Sequence, residues 1–144
     1  MSQIFRDYTI FSIAAGELNN WGVPSYMSAE TINQTTVLID SKNKRHLPYN
    51  KDQISSDATM MMEFLEVYFA QLLGDLGENI VTCVFAGDII DPLKNEDFRI
   101  ILNKKTFTYD LPLGSLLPPK YCSKCRKSYN GRWSFCPFTG NYLR

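Results

Sequence analysis

Histidine is nearly absent from this chain of 144 residues, in which His46 is the single example. No stretch reaches the roughly 18 consecutive apolar residues that a membrane-spanning helix needs. The chain has no G-x-S-x-G motif and no glycine-rich phosphate loop, so the sequence offers no pair of a nucleophile and a base that can be named. Arg6 and Asp7 interrupt the apolar region that a secretory signal peptide would require. These absences predict a cytoplasmic protein that is not an enzyme and has no membrane partner.

Acidic residues are missing from one end of the chain. Residues 120–144 contain six basic residues and no acidic one, which gives a net charge of +6. Residues 1–119 contain the other nine basic residues and all fifteen acidic residues, which gives −6. Pro118 and Pro119 separate the two segments. We therefore predict two domains, a body at residues 1–117 and a tail at residues 118–144.

The strongest helix signal lies between Ser55 and Leu73. Ser55, Ser56 or Asp57 can cap the start of this helix, and Gly74 or Gly77 can end it. Apolar residues occupy most of its circumference and leave only a small polar side. We therefore expect other elements to cover the helix on most sides and make it the central core element.

Short β-branched and apolar runs predict the strands. They lie at residues 8–14, 35–40 and 80–86, and a hairpin is expected from 98–102 and 106–109. Cys83 lies inside the third of these runs and is interpreted as an inert, buried thiol. Because strands do not alternate regularly with helices, we predict an α+β fold in which a mostly antiparallel sheet packs on one long central helix.

Three of the four cysteines lie in the tail. Cys122 and Cys125 form a C-x-x-C pair, and Cys136 follows in the sequence FCPFTG. This spacing favours metal binding in a reducing compartment over a disulfide framework. A C-x-x-C turn can present two thiolates to one zinc ion, and a second turn can supply further ligands. We expect a β-hairpin with its turn at residues 129–132 to bring the two cysteine turns together.

The tail resembles the zinc-ribbon family, whose pattern is Y-C-x-x-C-G-x-x-Y, a spacer, and F-C-P-x-C-G-x-x-L. The matching residues are Tyr121, Cys122, Cys125, Tyr129, Phe135, Cys136, Pro137, Gly140 and Leu143. The resemblance covers residues 121–143 and implies a small zinc-ribbon-like β-hairpin at the C-terminus, with zinc as the cofactor. The tail departs from the family at Arg126, where glycine is usual, and at Thr139, where the fourth cysteine is expected.

The fourth ligand of the predicted zinc site is left open by the sequence. Water, the C-terminal carboxylate, another chain or His46 can complete a site that begins with Cys122, Cys125 and Cys136. Alternatively, the metal has been lost and the two cysteine turns persist within a packed aromatic hairpin. A catalytic metal centre is not expected, because the tail has no acidic residue to act as a general base.

Two functions compete on these observations. The first is a small protein-interaction domain, such as a subunit, an adaptor, or an immunity- or antitoxin-like inhibitor, whose acidic body meets a partner protein with a basic surface. The second is nucleic-acid binding by the tail, where aromatic rings can stack on bases and cations can contact phosphates. The predicted binding residues are Lys124, Arg126, Lys127, Arg132 and Trp133. We favour the protein-interaction domain, because the charge of the body opposes a polyanion.

Overall fold

The computed structural model describes residues 7–144. The described residues form two compact units, the first made of residues 7–90 and Arg99–Phe107, the second of Asp91–Phe98 and Thr108–Arg144. The boundary predicted from the sequence, between a body at residues 1–117 and a tail at residues 118–144, stays a prediction. Helices and antiparallel strands mix in the described residues, so the chain is α+β. Among residues 7–144, no helix has the length and apolarity to span a bilayer.

The strands are short. Their bounds are β1 Tyr8–Ile13, β2 Gly16–Leu18, β3 Pro24–Tyr26, β4 Val37–Ile39, β5 Arg45–His46, β6 Val81–Ala86, β7 Asp97–Leu102, β8 Lys105–Asp110, β9 Lys120–Cys122 and β10 Lys127–Tyr129. The helices are α1 Ala29–Thr35, α2 Ser56–Leu73 and α3 Asp75–Glu78, with single 3-10 turns at Lys51–Gln53 and Gly114–Leu116.

The strands do not form one sheet, which differs from the expectation of a single sheet packed on a helix. β1 pairs with β6, β2 with β3, and β9 with β10, each pair being antiparallel. The largest sheet has four strands in the order β5-β4-β7-β8. The hairpin between β7 and β8 was predicted, and its two turn residues, Asn103 and Lys104, both have positive φ, as type I′ turns require.

The core of the first unit consists of β4, β6 and the residues that face them. Cys83, Val84 and Phe85 of β6 are buried, and so are all three residues of β4. Ile32 of α1 is also fully buried. Helix α1 leads directly into β4 and contacts β6. The prediction that Cys83 is buried is therefore confirmed.

Helix α2 begins and ends where the sequence predicts. The Ser55 side chain accepts a hydrogen bond from the Ala58 N–H, and Gly74, with φ of 56°, follows the last residue. Gly77 of α3 packs against the end of α2 so closely that a Cβ there would overlap the Phe69 carbonyl oxygen. Glycine is therefore required at residue 77.

The expected covering of α2 is not confirmed. Only Ala58 and Met62 of the helix are buried, whereas Phe64 keeps 69% of its surface exposed. The apolar residues on the circumference of α2 show that it is hydrophobic, but not that other elements of this chain cover it. Among the described residues, α2 is a helix at the surface and not the centre of the core.

Candidate metal centre

The first cysteine turn lies at the tip of the antiparallel pair β9–β10. Cys122 faces Lys127 across this pair, so residues 123–126 form the connection. The Arg126 N–H donates a hydrogen bond of 2.9 Å to the Cys122 carbonyl oxygen. Arg126 has φ of 58°, the left-handed conformation that favours glycine. The residue that departs from the zinc-ribbon pattern thus adopts the conformation that the pattern's glycine would adopt.

The second cysteine turn repeats this construction. Phe135 and Tyr142 form an antiparallel bridge, and the Gly140 N–H donates to the Cys136 carbonyl oxygen at 2.9 Å. Gly140 has φ of 67°, close to that of Arg126. Each cysteine turn therefore ends its own short antiparallel pair.

The prediction of one hairpin with its turn at residues 129–132 is wrong. This segment is a connection between the two antiparallel pairs, in which the Asn130 side chain accepts a hydrogen bond from the Arg132 N–H. Asn130 and Gly131 favour turns in any context, so the sequence locates this turn correctly but does not reveal which strands it joins.

The two turns bring three thiols together. The sulfur atoms of Cys122, Cys125 and Cys136 all lie within 4.8 Å of one another, and those of Cys125 and Cys136 are 3.7 Å apart. In a tetrahedral zinc site with Zn–S bonds of about 2.3 Å, two sulfur atoms are about 3.8 Å apart. The three cysteines can therefore hold a metal ion such as zinc.

The cysteine cluster is also the small core of this region. Cys122, Cys136 and Leu143 are buried, and Cys125 and Tyr129 pack against them. The three thiols therefore lie in a packed interior, where neighbouring side chains restrict the positions of the sulfur atoms.

Two hydroxyl groups lie beside the thiols. The Thr139 hydroxyl oxygen is 3.4 Å from the Cys122 sulfur, and the Tyr129 hydroxyl oxygen is 3.1 Å from the Cys125 sulfur. Hydrogen bonding to Cys125 and Cys136 raises the pKa of Tyr129. Its phenol therefore stays protonated and can donate to a thiolate.

The surroundings of the cluster favour thiolates. A backbone hydrogen bond from Cys125, followed by the Thr139 hydroxyl, lowers the pKa of Cys122. Burial alone would raise the pKa of Cys136, but hydrogen bonds from Thr139 and Tyr129 and from backbone N–H groups outweigh it and lower the pKa to about 6. Metal ions bind the thiolate form, so these hydrogen bonds prepare the site.

Thr139 therefore occupies the place of a fourth cysteine without supplying a fourth thiol. Its hydroxyl lies within the cluster as a hydrogen-bonding group. The zinc-ribbon pattern identifies the position of Thr139, and the family's second tyrosine identifies Tyr129, but neither pattern predicts that both hydroxyls contact sulfur.

His46, considered as a fourth ligand, lies in β5 of the first unit. Its Nε2 atom is 2.9 Å from a carboxylate oxygen of Asp40. Burial alone would raise the pKa of Asp40, but the hydrogen bond with His46 and backbone hydrogen bonds lower it. The cysteine cluster in the described residues includes no histidine.

The predicted binding residues of the tail lie at its surface with different contacts. Lys124, Arg126 and Lys127 are exposed. The Lys127 ammonium nitrogen lies 5.6 Å from the centre of the Phe138 ring. Arg132 donates a hydrogen bond to the Asp110 carbonyl oxygen at 2.9 Å, so it contributes to packing within the second unit. Trp133 is half-exposed and stacks on Tyr129.

No family model, curated protein or solved structure matches this chain.

Proposed function

We propose that this chain is a small non-catalytic protein-interaction domain whose tail is stabilised by zinc bound to Cys122, Cys125 and Cys136. The observation that carries the zinc assignment is the convergence of three thiols within 4.8 Å. Soft thiolates in this number select zinc over magnesium or calcium, which prefer oxygen ligands. A water molecule beside the Thr139 hydroxyl is the proposed fourth ligand.

Removal of zinc should loosen the tail, because its small core consists mainly of the metal ligands. Trp133 stacks on Tyr129 with ring centres 6.0 Å apart, so its fluorescence reports on this region. The variant Trp21→Phe removes the other tryptophan, which is exposed, and isolates that signal. We expect a strong chelator to change the Trp133 emission and added zinc to restore it. An emission spectrum that changes with neither the chelator nor the added zinc would refute the zinc assignment.

The interaction proposal is supported by large apolar side chains that stay exposed on both units. Trp21 is 90% exposed and Phe138 is 77% exposed. Aromatic side chains such as these are enriched at protein–protein interfaces. The acidic body favours a partner with a basic surface over an acidic one. A subunit, an adaptor and an immunity- or antitoxin-like inhibitor are the forms that this proposal covers.

Recovery of the tagged full chain from its own cells tests this proposal. We expect a basic protein to accompany it in a fixed stoichiometric ratio and to be released at high salt, because charge attraction between partners is screened by ions. A chain recovered alone, or with nucleic acid only, would contradict the proposal.

Nucleic-acid binding by the tail is the second candidate. It is favoured by the position of Lys127 over the exposed Phe138 ring, since cations and rings together are used to hold single strands. The double variant Lys124→Glu/Lys127→Glu should then abolish retention on a labelled oligonucleotide. The matched control is Lys104→Glu/Lys105→Glu in the β7–β8 hairpin, which preserves the change in net charge. Equal loss in both variants would indicate net charge alone and refute a tail-specific site.

A further inference from the structure

Helix α2 presents a continuous apolar face to solvent. Met60, Phe64, Val67, Tyr68 and Leu72 follow the spacing i, i+4, i+7, i+8 and i+12, so they lie along one side of the helix. Each of these side chains keeps between 50% and 69% of its surface exposed. The residues that anchor α2 to its own unit, Ala58 and Met62, lie on the other side. The helix is therefore attached by one face and apolar on the opposite face.

The border of this face carries charge of one sign. The nearby acidic residues are all exposed, and none makes an ion pair with another described residue; they are Asp57, Glu63 and Glu66 of α2 and Asp75 and Glu78 of α3. From Asp52 to Leu93 the chain has eight acidic residues and no basic one. Glu63, one turn from both Met60 and Val67, lies directly beside the apolar face, and this segment has no basic residue to offset the acidic charge near it.

We propose that this face binds an amphipathic helix of another protein whose apolar stripe is bordered by lysine or arginine. The inference rests on the proposed interaction function and names its surface and partner. An apolar stripe at helical spacing matches helix-in-groove recognition, and the acidic border selects basic residues beside it. The contact extends over about 18 Å between Met60 and Leu72, because a helix rises about 1.5 Å per residue.

A second copy of this chain is the competing occupant, and charge opposes it. Pairing of α2 with another α2 would bring Glu63 and Glu66 near the same acidic residues of the partner. Like charges brought together destabilise an interface. A basic helix relieves this repulsion, so the border favours a different protein over a copy.

Two synthetic helical peptides with the same leucine stripe serve as probes. One carries lysine and the other carries glutamate at the positions that border the stripe. We expect the full-length protein to bind the lysine peptide, in fluorescence anisotropy, at least about tenfold more tightly than the glutamate peptide. We also expect the affinity to weaken between about 0.05 M and about 0.5 M salt. Equal affinity for both peptides would overturn the proposed partner chemistry.

Variants on α2 locate the site. The double variant Phe64→Ser/Val67→Ser removes apolar area from exposed positions, and it should abolish binding of the lysine peptide while far-UV circular dichroism is preserved. Glu63→Lys/Glu66→Lys should exchange the preference and favour the glutamate peptide. Leu47→Ser, which replaces an exposed apolar residue between β5 and the 3-10 turn Lys51–Gln53, is the matched control and should bind as the unaltered protein does. Binding that survives Phe64→Ser/Val67→Ser would overturn the proposal.

Sedimentation of the protein without peptide separates the remaining outcomes. A dimer that dissociates on Phe64→Ser/Val67→Ser would assign the face to a second copy and overturn the proposal. If the basic protein that accompanies the chain from cells stays bound to Phe64→Ser/Val67→Ser, the interaction function stands and the α2 site fails. If no protein accompanies the chain at all, the interaction function itself fails.

Discussion

Thr139 is the residue that distinguishes the proposed zinc site from the four-cysteine pattern of a zinc ribbon. It lies in the second cysteine turn, with its hydroxyl oxygen 3.4 Å from the Cys122 sulfur. A neutral hydroxyl is a weaker zinc ligand than a thiolate, so the site has three strong ligands where the zinc-ribbon pattern has four. The protein should therefore bind zinc more weakly than a site with four cysteines.

The substitution Thr139→Cys should complete the site. We expect zinc affinity to rise by at least about tenfold, a factor that even the outer partners of metal ligands contribute. Competition with a chromophoric chelator measures this change. Thr139→Val is the control, because it keeps the shape of threonine without adding a ligand. Equal affinity of Thr139→Cys and the unaltered protein would show that the side chain at residue 139 does not reach the metal.

Arg126 is strained for a residue with a side chain. Its φ of 58° lies in the left-handed region, which costs a residue other than glycine about 1–2 kcal/mol. Arg126→Gly should stabilise the zinc-loaded protein by about 0.5–1 kcal/mol, measured by urea unfolding. Lys124→Gly, in the same turn without a positive φ, should destabilise it instead. Parallel losses in both variants would contradict this explanation.

Cys83 couples stability to alkaline pH. Burial raises the pKa of its thiol to about 11, above the ordinary value near 8.5 for an exposed thiol. Between these values the folded chain keeps a proton that the unfolded chain releases, so the free energy of unfolding falls as pH rises. Urea unfolding of Cys83→Ala and of the unaltered protein, at several pH values across this window, should show a shallower fall for the variant. Parallel curves would mean that Cys83 does not contribute.

At the level of elements, local sequence signals predict the bounds of a helix or strand better than they predict which other elements pack against it. The bounds of α2 follow from Ser55 and Gly74, which act within one turn of the helix. Helix α1 was missed because its sequence AETINQT has a single buried apolar residue, Ile32, too few to form a pattern. Its N-cap at Ser28 is the signal that could have indicated it.

The same distinction applies to the candidate site. The C-x-x-C spacing predicts that the thiols of Cys122 and Cys125 lie close together, because both belong to one turn. The resemblance of the second turn to a zinc ribbon predicts that Cys136 joins them. The exposure of α2 and the pairing around each cysteine turn could not be predicted, because both depend on residues distant in sequence. Tertiary packing determines such features, and the hydrophobic periodicity of the sequence does not predict tertiary packing.

The backbone of the β7–β8 hairpin is strained at Lys104, and a substitution there tests the effect of this strain on stability. Lys104 has φ of 68° in a two-residue turn, where glycine is preferred. Lys104→Gly should raise the free energy of unfolding by about 0.5–1 kcal/mol. Lys105→Gly, which replaces a residue of β8 itself, should lower it, because glycine weakens strands. A gain in both variants would point to loss of positive charge rather than relief of strain.

The whole molecule combines an acidic body with a basic tail. The net charges of residues 1–119 and 120–144 are −6 and +6, and the exposed face of α2 lies in the acidic segment. The proposed zinc site and the proposed binding face of α2 consist of different residues, so each can be altered separately. Binding of zinc should therefore be unaffected by Phe64→Ser/Val67→Ser, and peptide binding by α2 should survive loss of the metal.

The zinc content of the purified protein is the sharpest test of the proposed zinc site. Protein expressed with zinc and purified without chelator should carry one zinc ion per chain by native mass spectrometry and elemental analysis. Cys122→Ser should lose the metal, whereas Cys83→Ala, which removes the cysteine outside the cluster, should keep it. A zinc-free protein, or equal metal content in all three chains, would contradict the assignment of the cluster as a zinc site.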